Sequence, residues 1–141
     1  MWWKARALFI ALVCCCVAST HAAQTSKPEL GQDGKDVVWV PTPEALTQKM
    51  LDLAGVTAKD QVLDLGSGDG RLVIAAAQRG ARARGIEYTA SLVEYARVAA
   101  RKAGVAERAT FEKADLFDAD LTWATVITLF LGPDKIGRAH V

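Results

Sequence analysis

A glycine-rich loop is the part of this sequence whose residue types and spacing best suit ligand chemistry. The run Val62-Leu63-Asp64-Leu65 has the apolar character of a buried strand, and Gly66-Ser67-Gly68-Asp69-Gly70-Arg71 follows it directly. A strand that ends in glycines and turns into a helix presents backbone N–H groups and a positive helix dipole to a ligand. Glycines also let that ligand approach the main chain closely. The pattern predicts a loop that binds a nucleotide-type cofactor.

Acidic residues further along the chain could complete such a site. Glu87 ends a second strand-like segment about 20 residues after the loop, where a carboxylate can hydrogen-bond ribose hydroxyls. Asp115 and Leu116 follow a third segment, where a carboxylate can accept from an adenine amino group while an apolar side chain packs on the ring. Each element alone could be a tight turn or a solvated acid. Together, at three successive strand ends, they indicate a cofactor that contains a nucleoside.

The spacing within the loop separates two classes of cofactor. The dinucleotide fingerprint Gly-x-Gly-x-x-Gly requires a glycine at position 71, where this chain has Arg71. The spacing Gly66-x-Gly68-x-Gly70 therefore disfavours a nicotinamide-dependent oxidoreductase. It favours S-adenosylmethionine as the cofactor.

Alternating helices and strands must position these residues. Thr42 is a suitable N-cap with Pro43 at the first helical position, and an amphipathic stripe runs from there to Gly55. The pattern then predicts strands at 61–65, 83–88, 109–114 and 125–131, and helices at 69–79 and 90–103. This alternation predicts an α/β fold with a doubly wound, Rossmann-like parallel sheet. The sheet is expected to be incomplete, with about four strands present, and the ligand to lie at the carboxyl ends of the strands.

The two ends of the chain differ from its middle. Residues 1–22 combine a basic leader, an apolar run and small residues before a cleavage site after Ala22, which predicts a signal peptide and a periplasmic or secreted protein. An uncleaved membrane anchor is the alternative, although the run is shorter than the ~20 residues of a span. Residues 23–36 are interpreted as a linker and 37–135 as the N-terminal part of the domain. The hexapeptide 136–141 back-translates to a common sequencing-adapter sequence, so we expect a non-native tail and a natural chain that continues past Lys135.

Composition narrows the classes of partner. The 141 residues include 17 basic and 16 acidic side chains, and removal of Lys4 and Arg6 with the signal would change the net charge from +1 to −1. Nothing in that balance suggests a nucleic-acid partner. All three cysteines, at 14–16, lie in the predicted signal, so we expect no disulfide, thiol nucleophile or cysteine metal site in the mature chain. We expect no metal site and no stable membrane span after cleavage.

The motifs resemble those of class I S-adenosylmethionine-dependent methyltransferases. The similar segments are 62–71, 85–88 and 114–116, within a region of about 37–131. In that family the first segment holds the methionine part of the cofactor, the second binds the ribose and the third contacts the adenine. The cofactor-binding residues that the resemblance implies in these segments are Asp64, Gly66, Ser67, Gly68, Glu87, Tyr88, Asp115 and Leu116.

The leader Val40-Pro41-Thr42-Pro43-Glu44 narrows the resemblance. Together with 66–71, it is similar to a subgroup of exported bacterial methyltransferase-like proteins and membrane-associated mitochondrial protein-lysine methyltransferases. In that subgroup the Pro-Thr-Pro segment lies over the cofactor. Pro41 and Thr42 are therefore implied as further cofactor contacts.

The resemblance implies S-adenosylmethionine-dependent methyl transfer to an unidentified acceptor, with a protein lysine as one candidate. Such transfer needs alignment, a dry cleft and a deprotonated acceptor, and we assign no catalytic residue. Amide- and base-modifying members carry Asn/Asp-Pro-Pro-aromatic after strand four, whereas this chain has Thr128-Leu129-Phe130-Leu131-Gly132-Pro133, which argues against those acceptors. The alternative is a catalytically inactive module of the cell envelope that binds S-adenosylmethionine or S-adenosylhomocysteine. The predicted export motivates that alternative.

Overall fold

The computed structural model describes residues 26–33 and 39–130. The predicted signal peptide, residues 34–38 and the predicted non-native tail lie outside the described residues. The elements are α1 (Glu44–Leu53), β1 (Gln61–Leu65), α2 (Arg71–Gln78), β2 (Arg82–Glu87), α3 (Ala90–Lys102), β3 (Ala109–Lys113), a 3-10 turn (Leu116–Asp118) and β4 (Val126–Leu129). None of the described helices is long and apolar enough to cross a membrane.

The four strands form a parallel sheet in the order β3-β2-β1-β4. Strand β1 pairs with β2 on one side and with β4 on the other, so Asp64 lies opposite Gly85 and Thr128. The chain reverses its winding direction between β1 and β4, and in open α/β sheets ligands bind beside such a point at the carboxyl ends of the strands. The predicted Rossmann-like parallel α/β fold is confirmed.

Strand β1 is the centre of the core because both faces of the sheet are covered there. Val62 and Leu63 are fully buried, and each such side chain contributes roughly 1.5–3 kcal/mol relative to exposure. Strand β3 lies at the edge and alternates, with Ala109 and Phe111 buried and Thr110 exposed. The central strand is therefore buried along most of its length, as strands covered on both faces of a parallel sheet are, whereas one face of the edge strand is exposed.

Helices cover one face of the sheet and a shorter connection covers the other. The larger cluster unites side chains of α1, α2 and α3 with the first face, among them Leu51, Val73, Val93 and Phe111. The smaller cluster joins Leu63, Leu65 and Ile86 to residues of the β3–β4 connection such as Leu116 and Trp123. The sheet therefore holds the carboxyl ends of β1, β2 and β3 side by side on a rigid base.

The N-terminal boundaries of two helices differ from the sequence prediction. The N-cap of α1 is Pro43 and not Thr42, since Pro43 has an extended ψ of 143° and its carbonyl oxygen accepts from Thr47 N at 2.9 Å. Helix α2 begins at Arg71 and not at residue 69, because Gly70 adopts a left-handed φ of +81° that ends the loop before the helix starts. Both errors arise where the chain must turn, and a capping pattern alone does not fix such a turn to one residue.

Candidate cofactor site

The glycine loop is bound to the end of β2 through its backbone. Gly66 N and Ser67 N both donate to Ile86 O at 2.9 Å, and Gly70 N donates to Ser67 O at 2.9 Å. Gly66, Gly68 and Gly70 all have left-handed backbones, with φ of +78°, +54° and +81°. These N–H groups are therefore used to shape the loop, whereas the sequence suggested that they would face a ligand.

Gly68 and Gly70 are required for different reasons. A Cβ on Gly70 would lie 2.6 Å from Phe111 Cε1 and 2.7 Å from Ala96 Cβ, so this glycine lets the start of α2 pack against α3 and β3. A Cβ on Gly68 would lie 2.4 Å from Trp39 Nε1. Gly70 is thus a packing position, and Gly68 is the position where an indole ring contacts the loop.

Glu87 connects the loop to the turn after β2. Its Oε2 accepts from Gly68 N at 3.0 Å and its Oε1 accepts from Thr89 N at 2.7 Å. A carboxylate has about four lone-pair sites, so each oxygen keeps capacity for one further donor. Glu87 is therefore placed to accept from two ligand hydroxyls without releasing the loop.

Asp64 is a buried carboxylate beneath the loop. The residue is 6% exposed, and its Oδ1 accepts from the Thr128 hydroxyl at 2.7 Å. Burial raises the pKa of Asp64 to about 6, the Thr128 hydrogen bond opposes that rise, and the negative charges of Glu87 and Asp69 add to it. A buried anion of this kind is stabilised by a cation, so Asp64 suits a positively charged ligand group.

Ser67 leaves a buried hydroxyl without a partner. Its Oγ has no hydrogen-bond partner within the part of the chain that the structure describes. It lies against Gly85, where a Cβ would approach Ser67 Oγ to 2.4 Å. Because a buried hydroxyl without a partner costs about 1–3 kcal/mol, a ligand polar group that reached Ser67 would recover that cost.

The adenine-contact candidates lie directly after β3. Asp115 caps the 3-10 turn, and its Oδ1 accepts from Phe117 N at 3.1 Å. Leu116 packs on the smaller core cluster. Ala114 N donates to Glu87 O at 3.1 Å, so the ends of β2 and β3 are adjacent. Tyr88, which is 49% exposed, follows Glu87 at the same edge.

The two candidate residues before α1 belong to a segment that crosses the loop. Pro41 and Thr42 lie in residues 39–43, which we call the strap. The Thr42 carbonyl oxygen accepts from Arg71 Nη1 at 2.7 Å, and Trp39 contacts Gly68. The structure therefore brings all ten predicted residues to the carboxyl end of the sheet or to the strap that covers it.

Three contributions to this site were not predicted from the sequence. Thr128 bonds Asp64, Trp39 covers Gly68, and Arg71 joins the loop to the strap. Thr128 could have been found from the register of β4 against the central strand β1, because it lies opposite Asp64. Trp39 and Arg71 carry no local signal, since their contacts join segments about 30 residues apart.

A separate groove lies at the amino ends of the strands and is unsuited to the same role. Its lining includes Arg84 and Arg108, but Arg84 pairs with Glu112, and Arg108 Nη1 donates to Gly80 O at 3.0 Å. Within 26–33 and 39–130, no group of three or more His, Cys, Asp or Glu side chains could hold a metal ion. The candidate site is therefore formed by the loop, the carboxylates of Asp64, Glu87 and Asp115, and the strap.

Known proteins match this chain across the same region. The model of the ANTKMT methyltransferase domain family matches residues 64–140. A protein-lysine N-methyltransferase of Saccharolobus islandicus (strain REY15A) is 41% identical over 97 residues, which cover 67% of this chain and 60% of that protein. An adenine nucleotide translocase lysine N-methyltransferase of Mus musculus is 40% identical over 77 residues, which cover 54% of this chain and 34% of that protein.

A solved structure matches as well. The crystal structure of an RNA methyltransferase from Salinibacter ruber in complex with S-adenosyl-L-homocysteine has 51% sequence identity and a TM-score of 0.66. The match covers 67% of this chain and 63% of that chain. This chain therefore spans less than two thirds of the length of each of these three relatives.

Proposed function

This chain belongs to the ANTKMT methyltransferase domain family, and we propose that it transfers a methyl group from S-adenosylmethionine to a protein lysine. The resemblance to class I methyltransferases that the motifs indicated is confirmed by this membership. The named relatives are all described as methyltransferases, so none of them supports the inactive alternative.

One observation carries the cofactor assignment. Asp64, the glycine loop and Glu87 meet at the carboxyl ends of β1 and β2. Among the described residues, the Asp64 carboxylate has no cation partner and the buried Ser67 hydroxyl has no hydrogen-bond partner. Both residues adjoin Gly85, which lies opposite Asp64 in the sheet and against Ser67 Oγ. S-adenosylmethionine offers a cationic amino acid end and a ribose with two hydroxyls, so its groups fit the donors and acceptors present. The crystal structure of the Salinibacter ruber relative with S-adenosyl-L-homocysteine supports the same class of ligand.

The residues of this chain would bind and orient the cofactor. When bound, S-adenosylmethionine supplies an electrophilic methyl group on a sulfonium centre. Asp64 would neutralise positive charge, Glu87 would accept from hydroxyls, and the Asp115-Leu116 pair would bind the base. Such a site works by alignment and by exclusion of water, which is consistent with our assigning no acid–base pair.

The acceptor class rests on two relatives. The Saccharolobus islandicus protein and the Mus musculus protein are both named lysine methyltransferases, which supports a protein acceptor. The Salinibacter ruber structure is named an RNA methyltransferase, so RNA is the competing acceptor. The near-neutral charge of the chain, with 17 basic and 16 acidic residues, favours protein over RNA.

The test is methyl transfer from radiolabelled S-adenosylmethionine. The full chain is incubated with envelope proteins, with soluble proteins and with total RNA, and the Glu87→Ala variant serves as the matched control. We expect label in protein that acid hydrolysis recovers as methyl-lysine, and much less label with the variant when the cofactor concentration is below saturation. Label only in RNA would overturn the lysine assignment, and no label in any fraction would overturn methyl transfer by this chain.

We also propose that the protein acts outside the cytoplasm. The basic leader, apolar run and small residues of 1–22 support export. Cell fractionation with an antibody against the domain should find a chain shortened by about 22 residues in the periplasm or medium. A full-length chain in the cytoplasmic fraction would contradict export, and one in the membrane fraction would indicate an uncleaved anchor.

A further inference from the structure

The strap is anchored at both ends and is tied to the loop by the Arg71 side chain. At its start, Trp39 N donates to Gln32 O at 2.9 Å and Gly31 N donates to Trp39 O at 3.0 Å. At its end, the chain enters α1, whose Thr47 and Leu51 are fully buried. Between these ends, two prolines restrict the backbone of the strap and stiffen it. The distance between the strap and the loop therefore depends on the contacts that the strap makes with the loop.

Arg71 makes that tie with directed hydrogen bonds from all three of its guanidinium nitrogens. Its Nε and Nη2 face the Asp69 carboxylate, with Nη2 to Oδ2 at 2.6 Å and Nε to Oδ1 at 3.0 Å. Its Nη1 donates to the Thr42 carbonyl oxygen at 2.7 Å. The planar guanidinium thus spans from the loop to the strap, which a lysine ammonium cannot do with the same geometry.

The Arg71–Asp69 ion pair is partly shielded from solvent, which strengthens it. The side chains of Arg71 and Asp69 are 31% and 14% exposed. The Asp69 hydrogen bonds and the nearby Glu44 carboxylate raise the pKa of Arg71, so the guanidinium stays charged. A charge-assisted, partly buried bidentate pair is stronger and less screened by salt than a surface ion pair.

Trp39 is the part of the strap that reaches the glycine loop. Its indole Nε1 would lie 2.4 Å from a Cβ on Gly68, and Cδ1 would lie 3.1 Å from it. Glu87 holds the N–H of the same glycine at 3.0 Å. Gly68 is therefore contacted by an indole ring and by the carboxylate that we assign to the ribose, so a change in the height of the strap changes a wall of the site.

We propose that Arg71 is a positioning residue that fixes the strap on the loop and so keeps Trp39 against Gly68 as a wall of the cofactor site. This inference rests on the proposed function, because it assigns Trp39 to the same cofactor site. The proposal assigns Arg71 a positioning role, in addition to the spacing that disfavours a dinucleotide cofactor. The guanidinium sets the strap height, and the indole contacts the bound cofactor.

A matched pair of arginines tests the proposal. Arg79 also ties the α1 side of the chain to α2, with Nη2 donating to Gln48 Oε1 at 2.7 Å and pairing with Asp52 at 2.8 Å, but it lies at the far end of α2. The dissociation constant of S-adenosylhomocysteine is measured by calorimetry for the full chain and for Arg71→Lys and Arg79→Lys. We expect Arg71→Lys to weaken binding about tenfold, the size of one lost charge-assisted hydrogen bond, and Arg79→Lys to stay within about twofold.

A double-mutant cycle with Trp39 separates positioning from general stability. If Arg71 acts through the indole, Arg71→Lys should add less than about twofold once Trp39→Ala is present. The chain has 4 tryptophans. The emission of Trp39 alone is obtained by subtracting the fluorescence of Trp39→Phe from that of the wild type. That emission should change on titration of the wild type with S-adenosylhomocysteine and should change less in Arg71→Lys.

Three results would overturn the proposal. In the first, Arg71→Lys binds S-adenosylhomocysteine as tightly as the wild type. In the second, Arg79→Lys weakens binding as much as Arg71→Lys does. In the third, Arg71→Lys weakens binding by the same factor whether or not Trp39→Ala is present. Should Arg71→Lys fail to fold, Trp39→Ala must weaken binding at least about fivefold, as expected for one aromatic contact, or the proposal fails. Absence of binding by the wild type would overturn the proposed function itself, a result distinct from binding that is insensitive to position 71.

Discussion

Replacement of Asp64 by asparagine should weaken ligand binding, and it should increase stability relative to the wild type as pH rises. Burial raises the pKa of Asp64 from its ordinary value of 3.8 to about 6. Because the folded state holds this proton more tightly than the unfolded state, the free energy of unfolding falls as pH rises from 3.8 to about 6. This rise in the pKa of Asp64 corresponds to about 3 kcal/mol of stability, most of which is lost between pH 4 and pH 7.5.

Asparagine removes the charge and keeps an oxygen that can accept from Thr128. Its amide N–H groups bring a desolvation cost of about 1–3 kcal/mol, but that cost is the same at both pH values. The informative quantity is therefore the change in the stability difference between Asp64→Asn and wild type. We expect this difference to move in favour of the variant by about 2–3 kcal/mol from pH 4 to pH 7.5.

Urea denaturation at the two pH values measures this quantity. Asp60→Asn is the control with the opposite sign, because hydrogen bonds from Thr57 and Thr125 lower the pKa of Asp60. That variant should lose stability relative to wild type as pH rises. A stability difference for Asp64→Asn that does not change between pH 4 and pH 7.5 would refute the interpretation of Asp64 as a buried anion that a cation would stabilise.

The remaining predictions concern the loop and its ligand. Gly70→Ala should cost about 2–4 kcal/mol in thermal or urea unfolding, because its left-handed φ and its close contacts both oppose a Cβ. Gly104→Ala, with a φ of +71° and nothing within 4 Å, should cost about 1 kcal/mol, and equal costs would contradict the packing role. Gly85→Ala should cost about 1–3 kcal/mol through Ser67, and Ser67→Gly should recover part of it, whereas additive losses would argue against that contact. S-adenosylhomocysteine should bind about tenfold more weakly at pH 5 than at pH 7.5, because Asp64 must lose its proton, and Asp64→Asn should remove this dependence.

Much of the fold could be predicted because the local pattern matches the final environment. The run at 61–65 is apolar for most of its length, and β1 is the strand covered on both faces. The glycines after residues 54, 79 and 103 coincide with left-handed residues that close the three helices. Strand β4 is shorter than the predicted 125–131, since its ladder with β1 ends at Leu129 opposite Leu65.

The candidate site was only partly predictable for a physical reason. Asp64, Glu87 and Asp115 each lie at the end of a strand, so the alternation of elements alone brings them to one edge of the sheet. Arg71 and Trp39 act across the fold, and their partners depend on how the strap descends onto the loop. Local patterns do not encode such distant contacts, so from the sequence Arg71 indicates a class of cofactor and a family resemblance but no contact with the strap.

Calorimetric titration of S-adenosylhomocysteine into the full chain and into Glu87→Ala tests the central claim most directly. We expect saturable binding by the wild type with one site per chain. Glu87→Ala should weaken binding at least about tenfold, since the variant loses both the ribose acceptor and the hydrogen bond that holds Gly68 N. No heat above background with the wild type, or equal binding by the two proteins, would contradict the claim that the loop and Glu87 form a site for S-adenosylmethionine.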